Sequence, residues 1–434
     1  MRQIEKLLAS KWAKPLTGII LILGTVQGLI YATTHKLLWD QKQLLTKGIL
    51  ASHLHIWQHY GNKVTGGGYV PGSLTTALMG FPLVIWDNPF SIHLTIALIH
   101  LLSLYLLNDA LKEYLSPAQR FFFICVFWLT PWRASKMVIW NPSFLILGTA
   151  LHFWTAVKMS QKKSGLYSFL HVVAIMYAFQ LHTSAVLLGI ISLYLWLRKQ
   201  IKVSWFGAVS GIFLSLLSLV PYYLEMKNNP QLAPIIDEFK KDYFYGRGFV
   251  YVLPLLKGLS YWPRYVSFFF PSYIFKHLDF AWITDANMRQ IIRSIFLGVA
   301  NIIGALTFGV SIWAIYNFVK NVIRLKVQKF LCAGIVENYL VAALLSTFVI
   351  SGASPISFSH WHLFLMFPLA YIIVVKFIVE KFANSKWLGR GLLITCIYLI
   401  FYNIVAPFSS EYHSISNNIQ TDYQDFVVQI TPDK

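Results

Sequence analysis

Long apolar runs separated by polar connections dominate the chain. The first run covers about residues 16–34, and ten more follow it. Most are near the length of an α-helix that crosses a bilayer, which takes roughly 20 apolar residues. The pattern therefore predicts an all-α polytopic membrane protein with about eleven transmembrane helices. The later runs lie near residues 90–109, 119–132, 142–158, 166–181, 183–198, 204–223, 292–317, 338–353, 361–379 and 388–406.

The connections between these runs alternate in character. Short connections rich in lysine and arginine alternate with connections that are less basic. Two of the less basic connections are long, at about 35–89 and 224–291. Lysine and arginine concentrate in cytoplasmic loops, so the short connections and the basic N-terminus belong inside. We therefore expect an uncleaved first span, one transmembrane domain over 1–406 with both long loops outside, and a non-cytoplasmic tail at 407–434.

The two long connections are rich in Trp, Tyr and Phe, which favour the boundary between lipid and water. Residues 43–60 carry apolar side chains on one side of a helix and lysine, glutamine and histidine on another. A helix of this kind lies on the membrane surface. We therefore expect interfacial helices in the first outer loop, directly after Asp40.

Composition agrees with a membrane protein. The chain is 56% hydrophobic and 12% charged, whereas soluble proteins carry about a quarter charged residues. The net charge of +19 comes from basic residues scattered between apolar runs, so we do not expect nucleic-acid binding. Cys125, Cys332 and Cys396 lie in or beside apolar runs, which is typical of small apolar residues and does not indicate a disulfide framework.

Asp40, in "HKLLWDQKQLLTK", is the first acidic residue after the first apolar run. A carboxylate at this point can take a proton from a substrate hydroxyl where lipid and water meet. It can equally be a helix cap or a loop residue. The residues around it do not decide between these interpretations.

Together with four further stretches, this arrangement resembles the C-type membrane glycosyltransferases. Within that superfamily the chain most resembles the bacterial relatives of protein mannosyltransferases and of lipopolysaccharide-core glycosyltransferases. The stretches are "GGGYVPGSLTTAL" at 66–78, "RASKMVIWNPSFL" at 133–145, "QLHTSAVLL" at 180–188 and "HWHLFLMFPL" at 360–369. They occur in the expected order along the predicted spans.

The resemblance implies a reaction. The residue of the superfamily that matches Asp40 is the catalytic base of an inverting transfer, in which an acceptor oxygen attacks the anomeric carbon of the donor sugar. The donor would be a sugar linked to polyprenyl phosphate, and the acceptor a cell-envelope glycan, lipid or protein. No cofactor is implied.

Arg133 and Lys136 fall at an outer span end, against the topological bias. A cation there can stabilise the phosphate that leaves with the lipid, or it can meet anionic headgroups. Asn141 follows in the same stretch and is a candidate for substrate binding. Some relatives have a second carboxylate here, whereas 133–141 contains none, so a metal site is not expected.

The remaining candidates are polar or aromatic residues at outer span ends and in the outer loops. Each also has a structural interpretation, as a turn residue, a histidine at a helix end or a headgroup anchor. His55 and His59 have metal-pair spacing but no clear third ligand, so zinc is not expected. The candidates for binding the donor phosphate or substrate are Tyr69, His182, Arg247, Arg264, His360 and His362.

Two other classes of protein compete with the glycosyltransferase interpretation. A transporter needs ionisable residues near the middle of its spans, and the sequence has few of them. An O-antigen polymerase or ligase is excluded less firmly, because such enzymes also use outward-facing arginine and histidine. The short, strongly basic inner connections favour a bacterial inner membrane with the site on the periplasmic side.

Overall fold

The structure is a computed structural model that describes residues 13–64, 68–232, 251–268, 278–324, 334–354, 359–385, 387–408 and 419–431. Within these residues, α-helices provide nearly all of the regular structure, and the one sheet is a two-stranded hairpin. The predicted all-α architecture is therefore confirmed, with this hairpin as an addition.

The first part of the chain forms a long helix, a shorter helix and the hairpin. Helix α1 covers Ala13–Thr34 and α2 covers Trp39–His53. Helix α2 begins at Trp39 because the Gln41 side chain accepts a hydrogen bond from the Leu38 N–H (2.8 Å). The antiparallel strands and the next helix follow as β1 (Tyr60–Lys63), β2 (Tyr69–Pro71) and α3 (Leu74–Ile85).

The rest of the chain is a bundle of helices in which neighbours along the sequence commonly pack together. The helices are α4 (Pro89–Ala110), α5 (Pro117–Trp128), the single turn α6 (Pro131–Ala134), α7 (Leu145–Gln161), α8 (Gly165–Phe179), α9 (Val186–Leu197), α10 (Trp205–Asn228), α11 (Val252–Val266), α12 (Ala286–Arg324), α13 (Ile335–Ala353), α14 (Phe367–Lys381), α15 (Trp387–Phe408) and α16 (Ile419–Ile430).

Within the described residues, seven helical segments are long and apolar enough to cross a membrane. The segment His360–Lys381, which contains α14, is central, since 78% of its apolar window is buried. The figure is 17% for α10 and α12, which lie at the periphery. The chain is therefore an integral membrane protein, and the exposed apolar side chains of α10 and α12 are those expected to meet lipid.

The sequence predicts about eleven transmembrane helices, but only seven helical segments among the described residues are long and apolar enough to cross a membrane. Each of the eleven apolar runs does coincide with a helix. Four of them lie in helices of only 12 to 17 residues, α5, α7, α8 and α9. Proline residues limit the length of two of these helices, α5 and α7. Pro131 begins a new turn soon after α5 ends, and Pro142 lies in a 3₁₀ turn directly before α7.

Close packing of α1 fixes the position of the residues that follow it. A Cβ atom at Gly24 would overlap the indole of Trp128, and one at Gly28 would lie 2.6 Å from Met137 Cγ. Only glycine permits these approaches. The end of α1 is therefore held against the segment that follows α5, and Asp40 is brought near Trp140.

The two long connections meet at the end of the bundle that carries Asp40. Glu225, near the end of α10, accepts a hydrogen bond from the main-chain N–H of His59 (2.6 Å). At the same end, α16 packs on α2 and α4, and the Tyr423 hydroxyl donates to Asp87. The expected helix over 43–60 is wrong in its bounds, because α2 ends at His53 and Tyr60 begins a strand.

Candidate active site

Asp40 lies in the first turn of α2, and its side chain is exposed. The indole N–H of Trp140 donates a hydrogen bond to Asp40 Oδ2 (3.2 Å). These residues are 100 positions apart in the sequence, so the contact exists only in the folded bundle. The hydrogen bond fixes one carboxylate oxygen, which is how an orienting group holds a general base.

Asp40 stands between two neighbouring cavities. The first, which we call the His35 cavity, has a volume of about 490 Å³. The second, which we call the Asn62 cavity, has a volume of about 260 Å³. Asp40, Trp140 and Trp361 line both of them. Among the described residues that line either cavity, Asp40 is the only carboxylate.

Aromatic and histidine side chains surround the His35 cavity. His35 Nδ1 lies 2.6 Å from the Lys36 carbonyl oxygen, so this nitrogen carries the proton of the neutral ring. Burial lowers the pKa of His35 to about 4, and the nearby Lys136 adds to that shift, so the ring is neutral at pH 7. The full lining is His35, Leu38, Trp39, Asp40, Gln41, Val138, Trp140, His360 and Trp361.

Lys136 lies one layer behind the wall of the His35 cavity. Its side chain is fully buried, and Nζ is 3.0 Å from His360 Nε2 and 4.1 Å from the centre of the Trp140 ring. No described carboxylate forms an ion pair with it. Burial lowers the pKa of Lys136 well below its usual range, since removal from water penalises the charged form. An anion that binds near a buried amine of this kind stabilises its protonated form.

The three arginines expected near the donor phosphate have different positions. Arg133 is buried away from both cavities, and it donates to the main-chain oxygens of Trp128 and Gly24 (2.6 Å each). Arg264, at the end of α11, is half-buried, with its guanidinium 5.9 Å from the centre of the Trp132 ring. Trp132 is also 5.5 Å from the His360 ring, so Arg264 approaches the same region. Arg247 lies outside the described residues.

Polar side chains from three parts of the chain meet around the Asn62 cavity. Asn141 is buried, and its Nδ2 donates to the Leu181 carbonyl (2.7 Å), which ties the 141 and 182 turns together. The rings of His182 and His362 lie 5.6 Å apart. The full lining is Asp40, Asn62, Lys63, Val64, Val70, Trp140, Asn141, Pro142, His182, Thr183, Trp361 and His362.

Tyr69 lies in β2 beside this cavity without lining it. Its ring is 4.6 Å from the Tyr60 ring, and Lys47 Nζ is 4.0 Å above Tyr60. Gly72 follows with a φ of +97°, and a Cβ there would overlap the Gln180 side chain, so glycine is required at this turn. Of the expected "GGG" element, Gly66 and Gly67 lie outside the described residues.

The structure therefore brings together Asp40, Asn141, His182, His360 and His362 as cavity-lining residues. It also reveals residues that the sequence analysis did not select. His35, Trp140 and Trp361 lie within stretches that the analysis quoted, but nothing in their spacing marked them out. The other additions are Trp39, Gln41, Asn62 and Lys63.

A third cavity, of about 330 Å³, lies between α5, α12, α14 and α15 and is almost wholly apolar. Its lining includes Val266 and Phe268, which follow shortly after Arg264. It contains no carboxylate or basic group among the described residues.

Comparison with known proteins gives a match in structure alone. No family model and no curated protein matches the chain. The fold matches ArnT from Cupriavidus metallidurans bound to undecaprenyl phosphate, with a TM-score of 0.54 and 12% sequence identity over 98% of this chain and 70% of that chain. Its apo state gives a TM-score of 0.44 and 14% identity over 92% of this chain and 78% of that chain.

At this identity the match concerns the fold. It extends over nearly the whole chain. ArnT is a polyprenyl-phosphate-dependent glycosyltransferase of the C-type superfamily, so the expected resemblance is confirmed. The chain is an integral membrane protein whose fold is similar to that of ArnT over nearly its whole length.

Proposed function

We propose that this protein is a membrane glycosyltransferase that moves a sugar from a polyprenyl-phosphate-linked donor to a cell-envelope acceptor. The observation that carries the proposal is the position of Asp40, which lines both cavities and is oriented by Trp140. A base between two binding sites is what a transfer between two substrates requires. ArnT, which shares the fold, was solved with undecaprenyl phosphate bound.

In this proposal the donor occupies the His35 cavity. His360 forms part of one side with Lys136 directly behind it, and Arg264 approaches from α11. Positive charge there favours the donor phosphate and stabilises it as it leaves with both electrons of the broken bond to the anomeric carbon. The apolar cavity that begins near Val266 offers a surface for the polyprenyl chain.

The acceptor occupies the Asn62 cavity, on the other side of Asp40. Its hydroxyl oxygen attacks the anomeric carbon from the side opposite the phosphate, and Asp40 takes the hydroxyl proton as the new bond forms. The configuration at the anomeric carbon is therefore inverted. Arg133 takes no direct part in this scheme, because it lines neither cavity and two of its guanidinium nitrogens donate to main-chain oxygens of α1 and α5.

The proposal includes a topology. The bundle crosses a bacterial inner membrane eleven times, and the four short helices complete their crossings with the turns that flank them. The N-terminus is cytoplasmic and the Asp40 end is periplasmic. The hydrogen bond between His59 and Glu225 supports placing both long connections on one side.

The test replaces the base. Asp40→Asn keeps the size of the side chain and the Trp140 contact, and it should lower transfer from an undecaprenyl-phosphate-linked sugar by two to four orders of magnitude. Binding of undecaprenyl phosphate should be retained. Asp425→Asn, which changes an exposed carboxylate on α16, is the control and should transfer as the parent does. Near-normal turnover by Asp40→Asn would rule out the proposed base.

The same experiment separates the two competing classes. An O-antigen polymerase or ligase would accept a polyprenyl-diphosphate-linked oligosaccharide and leave a monophosphate-linked sugar untouched. A transporter would move its substrate across a vesicle membrane without a change in any glycosidic bond. Product analysis by mass spectrometry after incubation with each lipid distinguishes the three outcomes.

A further inference from the structure

Asn62 lies in β1, at the wall of the Asn62 cavity. Its side chain is 7% exposed, and its Oδ1 atom has no hydrogen-bond partner among the described residues. A buried amide oxygen without a partner is uncommon in proteins, because it loses its contact with water and gains nothing in return. A ligand that supplied a hydrogen-bond donor here would remove that penalty.

The same cavity also offers a hydrogen-bond donor. His182 Nδ1 accepts a hydrogen bond from the main-chain N–H of Ser184 (3.1 Å), so in the neutral ring the proton is on Nε2. Burial lowers the pKa of His182 to about 3, with a smaller contribution from His362, so the ring is neutral at pH 7. His362 Nδ1 likewise accepts the Ser359 N–H (2.8 Å).

The chemistry of the cavity favours a neutral polyol over an anion. Its polar lining consists mainly of uncharged groups that accept or donate single hydrogen bonds. Asp40 contributes a negative charge, and Lys63 is the only lysine or arginine among the described lining residues. A phosphate on the acceptor would meet one cation and one carboxylate, which gives little net attraction.

The size of the cavity also favours a small polyol as the ligand. Ligand sites for drug-sized molecules usually have volumes of roughly 300–1,000 Å³. At about 260 Å³ the Asn62 cavity is smaller, so it encloses one compact unit. A single sugar ring with neighbouring hydroxyls matches both this size and the mixture of acceptor and donor groups in the lining.

We propose that the Asn62 cavity binds the terminal sugar ring of a glycan acceptor, and that Asn62 Oδ1 accepts a hydrogen bond from a hydroxyl next to the one that attacks. This inference rests on the proposed function, since it names the acceptor class of the same site. Rotation of the terminal amide, a soft torsion, directs the oxygen into the cavity when the ring is present. Asn62 then determines which hydroxyl is presented to Asp40.

The test measures binding without the donor. Methyl glycosides of D-glucose, D-galactose and D-mannose are the probes, and saturation-transfer NMR on the detergent-solubilised full chain is the readout. At least one glycoside should show saturation of its ring protons. Loss of the Asn62 carbonyl, in Asn62→Leu or the smaller Asn62→Ala, should weaken that binding roughly ten- to hundredfold.

Asn403→Leu is the matched control. Asn403 is also buried with a carbonyl oxygen that lacks a partner among the described residues, but it packs against α1 and α5, away from both cavities. It should leave glycoside binding unchanged. Thermal melting of each variant confirms that it is folded.

Two results would overturn the inference. One is the absence of saturation for every glycoside with the folded parent, and the other is parent-like binding by both Asn62 variants. Neither result bears on transfer, which the Asp40→Asn experiment tests. A protein that binds glycosides through Asn62 but transfers no sugar would keep this inference and lose the proposed function.

Discussion

Replacing Lys136 by methionine tests how the donor phosphate is held. The ammonium of Lys136 donates to His360 Nε2 at 3.0 Å, and His360 lines the His35 cavity. Lys136 itself is fully buried, so we expect it to act on the phosphate through the imidazole. Methionine keeps an unbranched side chain of similar length, so the packing against Trp140 is largely retained.

The magnitude follows from the geometry. The ammonium would lie about 7 Å from a phosphate oxygen, across one imidazole ring and one further hydrogen bond. At an effective dielectric constant of about 20, two unit charges at that separation attract by roughly 2 kcal/mol. Lys136→Met should therefore weaken binding of undecaprenyl phosphate about thirtyfold, since each 1.4 kcal/mol is a factor of ten.

The same contact predicts a pH dependence. Burial lowers the pKa of Lys136 in the empty protein, and a bound phosphate raises that pKa because it favours the charged form. Between the two pKa values, binding takes up a proton, so affinity should fall as the pH rises. Well above pH 6 the phosphate itself contributes little to this dependence, because the second pKa of a phosphate monoester lies near 6.

The assay is calorimetric titration of the protein in nanodiscs with undecaprenyl phosphate, in two buffers that differ in their heat of ionisation. The parent should take up protons on binding, and Lys136→Met should not. Undecaprenol, which lacks the phosphate, should bind both proteins alike. Lys63→Met, at the wall of the other cavity, should leave the affinity unchanged. Parent-like affinity and proton uptake in Lys136→Met would refute the role of this lysine.

Three further predictions concern Asp40, the first outer loop and the topology. Trp140→Phe keeps an aromatic ring but removes the N–H that orients Asp40, so turnover should fall about tenfold, by more than the affinity for undecaprenyl phosphate does. Burial lowers the pKa of Lys47 from its usual 10.5 to about 8. The unfolded chain therefore binds more protons between these values, and thermal unfolding should show the parent gaining up to about 3 kcal/mol of stability over Lys47→Met as the pH rises through that window. In a cysteine-free background, Ile56→Cys and Asn228→Cys should both react with an impermeant maleimide in intact cells, and protection of either before lysis would contradict the shared side.

Much of the fold could be predicted from the apolar pattern alone. Each expected span coincides with a helix, because the lack of water in a bilayer forces the backbone to satisfy its own hydrogen bonds. The hairpin could not be predicted in this way. Its strands have four and three residues, and Tyr60 continued the apolar face expected of a helix. The pairing of β1 with β2 joins residues 6 to 11 positions apart across a turn, and hydrophobic periodicity in such short strands does not report it.

The sequence marked some of the residues that line the two cavities, such as Asp40 and His362, but it did not indicate their contacts. Arg133 and Lys136 are three positions apart and looked equivalent, since both are cations at a span end. The structure separates them, because Arg133 turns toward the Gly24 carbonyl of α1 and Lys136 toward His360. The partner chosen by each depends on helices that are distant in sequence, and no local pattern carries that information.

The division of the chain explains how one carboxylate can serve two substrates. The first connection supplies Asp40 and Asn62, which face the proposed acceptor. The segment before α14 supplies His360, which with Lys136 faces the proposed donor. Trp140 joins the two halves, because its N–H donates to Asp40 while its ring face lies under the Lys136 ammonium. When a bound phosphate keeps Lys136 protonated, its positive charge polarises the indole that orients the base, so the group proposed to favour the leaving phosphate also contacts the group that holds Asp40. A change at Lys136 should therefore affect donor binding first and the alignment of Asp40 second, and Trp140 is the residue through which the second effect would pass.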